Sequence, residues 1–369
     1  MDPLPGLPGG IRARIVAGVN GLDTHVLEAG EAGRPALLLL HGFPELAFSW
    51  RKVMPALAAA GFHVVAPDQR GYGRTTGWSA EYDTDLAAFR MPNLVRDQLA
   101  LLHALGIASV HAVIGHDFGS PVAASCALIR PDVFPRVVMM SSPFAGAPGW
   151  APLPRDTVHE DLAALDPPRK HYQWYYATRE ANADMMQAKQ GLHDFLRAYY
   201  HHKSADWPGN QPFELDCWTA AELARLPTYY VMHAQETMAE TVAPHMPDAA
   251  LIAACRWMPE EALAIYAAEY ARTCFQGGLH WYRCQTSGGN AQEMRLFSGR
   301  RIEVPSLFIA GAADWGIHQF PGALRRMRME TCTDMREVHL VPGAGHWVQQ
   351  ERPEAVTRHL LDFLAATSP

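Results

Sequence analysis

Asp117 is the residue from which a chemical reading of this chain starts. It stands in the stretch AVIGHDFGSPVAAS, residues 112–125, where an apolar run enters a turn flanked by Gly115 and Gly119 and leaves as a small-residue helix. That is the pattern of a nucleophile elbow, in which a crowded strand-to-helix turn lifts one side chain above the strand ends, and the usual occupant is serine. A carboxylate there changes the chemistry. Attack by a carboxylate on an acyl carbon yields a reactive anhydride, whereas attack on a saturated carbon yields an ordinary ester that a second step can hydrolyse. Asp117 therefore suits displacement at carbon.

Three further segments supply what such a nucleophile needs. The run LLLLHGFPE places His41, Gly42, Phe43 and Pro44 directly after an early strand, where a loop can donate an oxyanion-hole N–H. The backbone N–H groups of Phe43 and Phe118 are the candidate donors. Asp314 ends the strand-like run SLFIAGAAD, and His346 leaves the run VHLVPGAGH through two glycines. Nucleophile, acid and histidine thus follow in the chain order of one known hydrolytic triad.

These residues must be positioned by a regular framework, and the sequence contains one. Runs rich in Val, Ile and Leu recur at PALLLLHGF, FHVVAPD, VHAVIGHD, RVVMMSS, VPSLFIAG and EVHLVPG, mostly separated by helical segments such as MPNLVRDQLALLHALG. The alternation predicts an α/β protein with a mostly parallel sheet covered by helices on both faces. Before it, RARIVAGVNGLDTHVLEAG alternates about an Asn-Gly pair, which predicts an antiparallel hairpin. Strand-like runs then thin out in favour of helical, aromatic-rich sequence, which predicts an inserted helical domain over 146–299 between two core segments, 1–145 and 300–369. Its entry, SSPFAGAPGWAPLPRD, has the Pro and Gly content of a linker.

Composition narrows the function classes. With 369 residues, 49% of them hydrophobic and a net charge of -7, the chain can bury a large core and carries no basic stripe for nucleic acid. The N-terminus lacks a basic region followed by a long apolar stretch, and no run approaches the length of a membrane span, so a cytoplasmic protein without membrane contact is expected. Six scattered cysteines fit reduced thiols rather than disulfides or a zinc site. His193, His201 and His202 in LHDFLRAYYHHK are read as a solvated helix face, not as metal ligands. A homo-oligomer is compatible with the sequence.

On the motifs HGFPE, GHDFG and GHW the chain resembles the α/β-hydrolase superfamily, and specifically its soluble epoxide hydrolases, over nearly its whole length from about Arg12. The resemblance implies the α/β-hydrolase fold with an inserted helical cap and an epoxide as the small-molecule substrate. It implies no cofactor and no metal. It also implies two cap tyrosines that bind the epoxide oxygen, in contexts that recur here as HYQWYY, giving Tyr172, and LHWYRC, giving Tyr282. Opening an epoxide creates an alkoxide, and two hydroxyl donors stabilise that charge as it develops. Tyr175 and Tyr176 lie within one helical turn of Tyr172, so periodicity does not choose among the three, and the resemblance alone selects Tyr172.

Haloalkane and fluoroacetate dehalogenases share the fold and the aspartate. The former commonly hold halide with a tryptophan after the nucleophile and, in many members, an asparagine after His-Gly, but Phe118 and Phe43 stand there in this chain. The latter resemble it more at Phe43, but they use arginines near the nucleophile, and the position after Asp117 is not one. A non-catalytic binding protein on the same scaffold is the reading from another class. The pocket is expected to be apolar, with Trp281, Pro44 and Trp347 in its walls.

Overall fold

The computed structural model describes residues 4–151 and 156–367. Part of the Pro- and Gly-rich linker, residues 152–155, lies outside them. The chain opens with β1 (Ile11–Val19) and β2 (Leu22–Ala29), an antiparallel hairpin turning through Asn20 and Gly21, both at positive φ as a tight hairpin turn requires. It continues with β3 (Ala36–Leu40), β4 (His63–Pro67), β5 (Ala112–His116) and β6 (Val137–Met140). A long insertion contributes the short strands β7 (Arg169–His171) and β8 (Val231–His233), after which β9 (Ser306–Gly311) and β10 (Met335–Val341) complete the core.

Eight strands form one sheet in the order β1-β2-β4-β3-β5-β6-β9-β10. Only β2 runs against its neighbours; the pairings from β4 through β10 are parallel. Parallel strands buried on both faces need no polar alternation, which is why β3 reads Ala-Leu-Leu-Leu-Leu and is buried throughout. The register places Leu40 opposite Gly115, His116 opposite Met140, and Met140 opposite Ile309. The carboxyl ends of β3, β5, β6, β9 and β10 therefore share one edge, and the loops that leave it carry Phe43, Asp117, Asp314 and His346.

The insertion is helical, as its composition predicts, and includes the helices Tyr172–Tyr176, Gly191–His202, Glu260–Thr273 and Gln276–Thr286. The β7-β8 pair within it was not expected, since three-residue strands leave no readable alternation. It fixes the start of the tyrosine helix: the Tyr172 N–H donates to the Tyr230 carbonyl at 2.9 Å. No described helix is long and apolar enough to cross a membrane.

The expected solvated histidine face is corrected by the structure. His201 and His202 are buried, His202 stacking on His245 at 3.7 Å between ring centroids, and only His193 is half exposed, paired with Asp194 and Glu260. Among the described residues no group of three or more His, Cys, Asp or Glu side chains could hold a metal ion. The six cysteines are all free thiols.

Candidate active site

The elbow is built by exclusion of side chains. A Cβ on Gly115 would lie 2.0 Å from the Gly119 carbonyl oxygen, and one on Gly119 would lie 2.1 Å from that of Leu40. Both positions therefore require glycine, and the helix Gly119–Ile129 seats directly against β3, β5 and β6. Asp117 itself is at φ 51, a region that L-residues other than glycine rarely occupy. Such a conformation costs about 1–3 kcal/mol and persists only where the surroundings enforce it.

The Asp117 carboxylate has a defined partner at each oxygen. Oδ1 accepts the Phe43 N–H at 2.8 Å, and Oδ2 lies 3.2 Å from Nε2 of His346 without the alignment of a hydrogen bond. No hydrogen bond joins the Phe118 N–H to the carboxylate. On the far side of the imidazole, Nδ1 of His346 sits 3.1 Å from Oδ1 of Asp314, which also accepts the Gly316 N–H at 2.7 Å. Asp314 and His346 are each 1% exposed, so the pair is shielded from bulk solvent.

Proton affinities follow from these neighbours. Burial works against ionisation of Asp117, but His346 outweighs it and holds the carboxyl well below the usual carboxylate range. Burial and the charge of Lys203 press the proton affinity of His346 down, while Asp314 and Asp117 press it up, with a net rise. Asp314 also titrates below its ordinary value, the cost of burial being exceeded by the attraction of His346. These neighbours thus favour Asp117 as a carboxylate.

A cavity of about 290 Å³ opens on this group. Tyr172 and Tyr282 line it together with Asp117 and Phe118, their rings 5.8 Å apart. Both phenols are buried and titrate well above 10, through burial and the nearby Asp117 charge, so each remains a donor. Gln173 and Gln319 hold the Tyr172 hydroxyl at 3.2 and 3.1 Å. Tyr175 instead donates to Asp184 and Tyr176 to Tyr199, and neither lines the cavity.

The expected pocket residues are corrected here. Trp281, Pro44 and Trp347 are not among the lining residues. Trp281 packs behind Phe118 and donates its indole N–H to the Arg70 carbonyl, Trp347 donates to that of Tyr200, and the Pro44 carbonyl accepts the Tyr200 hydroxyl. Successive helical residues point about 100° apart, so the residue beside Tyr282 faces the core when Tyr282 faces the cavity. The walls are formed by residues such as Met91, Pro121, Phe144, Met294 and Phe320, with amides at Gln173, Gln285, Asn290 and Gln319. Among the described lining residues Asp117 alone carries a formal charge.

Two residues of the quoted motifs have a supporting part that the sequence reading missed. His116 spans from Oε2 of Glu45, at 2.6 Å, to the backbone carbonyl of His346, at 2.7 Å, and both side chains are fully buried. Their only signal in the sequence was membership of HGFPE and GHDFG.

Comparison with known proteins agrees with the fold. A family model described as alpha/beta hydrolase fold matches residues 35–353. Epoxide hydrolase A of Mycobacterium tuberculosis is 35% identical over 94% of this chain and 95% of its own. The chain belongs to the α/β-hydrolase fold family, in its epoxide hydrolase branch. Among solved structures, an epoxide hydrolase from an endophytic Streptomyces is similar with a TM-score of 0.78 and 31% identity, covering 97% of this chain and 96% of that one. Epoxide Hydrolase A from Mycobacterium thermoresistibile is similar with a TM-score of 0.75 and 31% identity, covering 97% and 99%.

Proposed function

We propose that this enzyme converts a small, uncharged epoxide to a vicinal diol through a covalent ester on Asp117. The observation that carries the reading is that one carboxylate and two phenols, Tyr172 and Tyr282, line the same apolar cavity. In the first step Oδ2 of Asp117 attacks a ring carbon, the carbon–oxygen bond breaks, and one tyrosine gives its proton to the departing oxygen while the other hydrogen-bonds it.

In the second step His346, oriented by Asp314, takes a proton from water, which attacks the aspartyl carbonyl carbon. The Phe43 N–H, with that of Phe118 as the second expected donor, supports the oxyanion. Collapse expels the diol oxygen, which takes the proton of the newly formed carboxyl group. His346 returns its proton to the tyrosinate, and Asp117 is again a carboxylate.

The same aspartate could displace halide, but the walls do not favour it. Among the described residues no arginine lines the cavity to bind a haloacid carboxylate, and the indole N–H of Trp281 is committed to Arg70. The test is purified protein with styrene oxide, a haloalkane and fluoroacetate side by side. Diol from the epoxide alone is expected, falling about ten-thousandfold or more in Asp117→Ala. Halide release without diol would mean a dehalogenase, and no turnover of any kind would mean a binding protein.

A further inference from the structure

Lys203, in the cap, is buried with only 3% of its surface exposed. Its ammonium sits among the rings of Tyr230, Tyr199, Trp347 and Tyr229, at 5.0, 5.4, 5.5 and 5.7 Å from their centroids. Among the described residues no carboxylate pairs with it. Aromatic faces attract a cation, but they neutralise no charge, so the field of Lys203 reaches beyond its cage.

The backbone around this lysine is fastened to the loop of the catalytic histidine. The His346 N–H donates to the Lys203 carbonyl at 2.9 Å. Glu351 accepts the N–H groups of Gly345 and Trp347, on either side of His346, at 2.9 and 3.0 Å, and that of Ala205 in the cap at 2.9 Å. A Cβ on Gly345 would lie 2.5 Å from the Ser204 carbonyl carbon, so the two segments are in direct contact. Lys203 therefore keeps a fixed position relative to His346.

We propose that Lys203 is a positioning residue for the second step, a cap-borne cation that biases the Asp117–His346 pair toward carboxylate and neutral imidazole. The inference rests on the two-step reading above and adds to it the reason His346 is available as a base. Once Asp117 is esterified its negative charge is gone, and the cation then opposes protonation of His346 with only Asp314 against it. The same charge favours the tetrahedral oxyanion that forms on the Asp117 carbonyl.

The other ionisable groups around the imidazole are accounted for. Asp117 and Asp314 flank its two nitrogens, and His116, backed by Glu45, holds its carbonyl. Glu351 is engaged by three backbone donors, though burial raises its carboxyl to about 7 so that it too titrates in this range, and the Tyr199, Tyr229 and Tyr230 phenols surround the ammonium. Lys203 is the cation of the group that acts on both residues, lowering the proton affinity of Asp117 and of His346.

The test is the titration of His346 in ¹⁵N-histidine-labelled protein by NMR, with the resonance assigned by its loss in His346→Gln. In Lys203→Met the midpoint should rise by about one pH unit, since an opposing charge has gone. Lys203→Arg, which keeps the charge, should stay near the parent. In turnover, the acid limb of ester breakdown should move to higher pH in the same variant. A folded Lys203→Met protein with an unchanged midpoint would overturn the proposal; should that variant not fold, Lys203→Gln is read in the same way. The NMR midpoint needs no substrate, so absence of epoxide turnover in the parent would overturn the two-step reading separately.

Discussion

The backbone N–H of Phe43 donates to Oδ1 of Asp117 at 2.8 Å, joining the loop after β3 to the elbow after β5. In the proposed mechanism the bond divides the labour of the two carboxylate oxygens. Oδ1 is pinned where the ester carbonyl must later develop negative charge, so its donor is in place before the reaction begins. Oδ2, beside His346 and free of such a bond, is the oxygen left to attack.

That close approach depends on Gly42. A Cβ there would lie 2.3 Å from both Cβ and Oδ1 of Asp117. Gly42→Ala should therefore displace the nucleophile and slow ester formation about a hundredfold or more, as misplacement by an ångström does. Rapid-quench measurement of ester formation checks this, with circular dichroism to show that the fold is retained. Parent-like ester formation would mean that Asp117 is held less rigidly than its contacts imply.

Tyr172 and Tyr175 of the 172–176 helix should separate by function, with Tyr282 behaving as Tyr172 does. Removing one oxyanion-type donor costs roughly 2.7–4 kcal/mol, so Tyr172→Phe and Tyr282→Phe should each slow ring opening about a hundredfold or more. Tyr175→Phe loses its hydrogen bond to Asp184 and should lower stability by about 1 kcal/mol while leaving turnover within a few-fold. Single-turnover rates and thermal melts on the three variants decide it. A severe Tyr175→Phe beside a silent Tyr172→Phe would reverse the assignment.

The pH dependence has a definite sign. His346 titrates above its ordinary value in the free enzyme, partly because of the Asp117 charge, and it accepts a proton only when neutral. Ester breakdown must therefore fall as pH drops through the midpoint of His346. Esterification removes the Asp117 charge, so that midpoint should lie lower in the intermediate than in the free enzyme. Ester formation, which needs only the Asp117 carboxylate, should persist into more acidic solution. Comparing the pH profile of ester decay with the NMR titration of unreacted enzyme checks the order, and a decay midpoint above the free-enzyme value would contradict it.

Much of the framework was legible because its strands are short apolar runs that end in glycine-rich turns. Each of the six runs that predict the parallel sheet contains a strand, and the Asn-Gly pair turns the hairpin. The insertion was less readable. Its aromatic residues serve its own core as often as the cavity, so Trp281 and Trp347, one residue from Tyr282 and His346, read as wall residues and are core residues. His201 and His202 misled for a related reason: polar letters on a helix suggest water, yet they are buried against other parts of the insertion, which a single helical period cannot reveal. Tyr172 and Tyr175 differ only in which way a five-residue helix is turned, and the unexpected β7-β8 pair fixes that turn. Lys203 left no signal, because its significance comes from a loop more than a hundred residues away.

The central claim is a covalent intermediate on Asp117, and intact-mass analysis of His346→Gln mixed with styrene oxide tests it most directly. That variant lacks the base for water but keeps a preformed carboxylate nucleophile, so the protein should gain one substrate mass, on the peptide carrying Asp117. In the active enzyme, a single turnover in ¹⁸O-water should correspondingly label the Asp117 carboxylate and leave the first diol unlabelled. No adduct in the variant, together with label in the first-turnover diol, would contradict the claim, because water would then open the ring directly with Asp117 as its base.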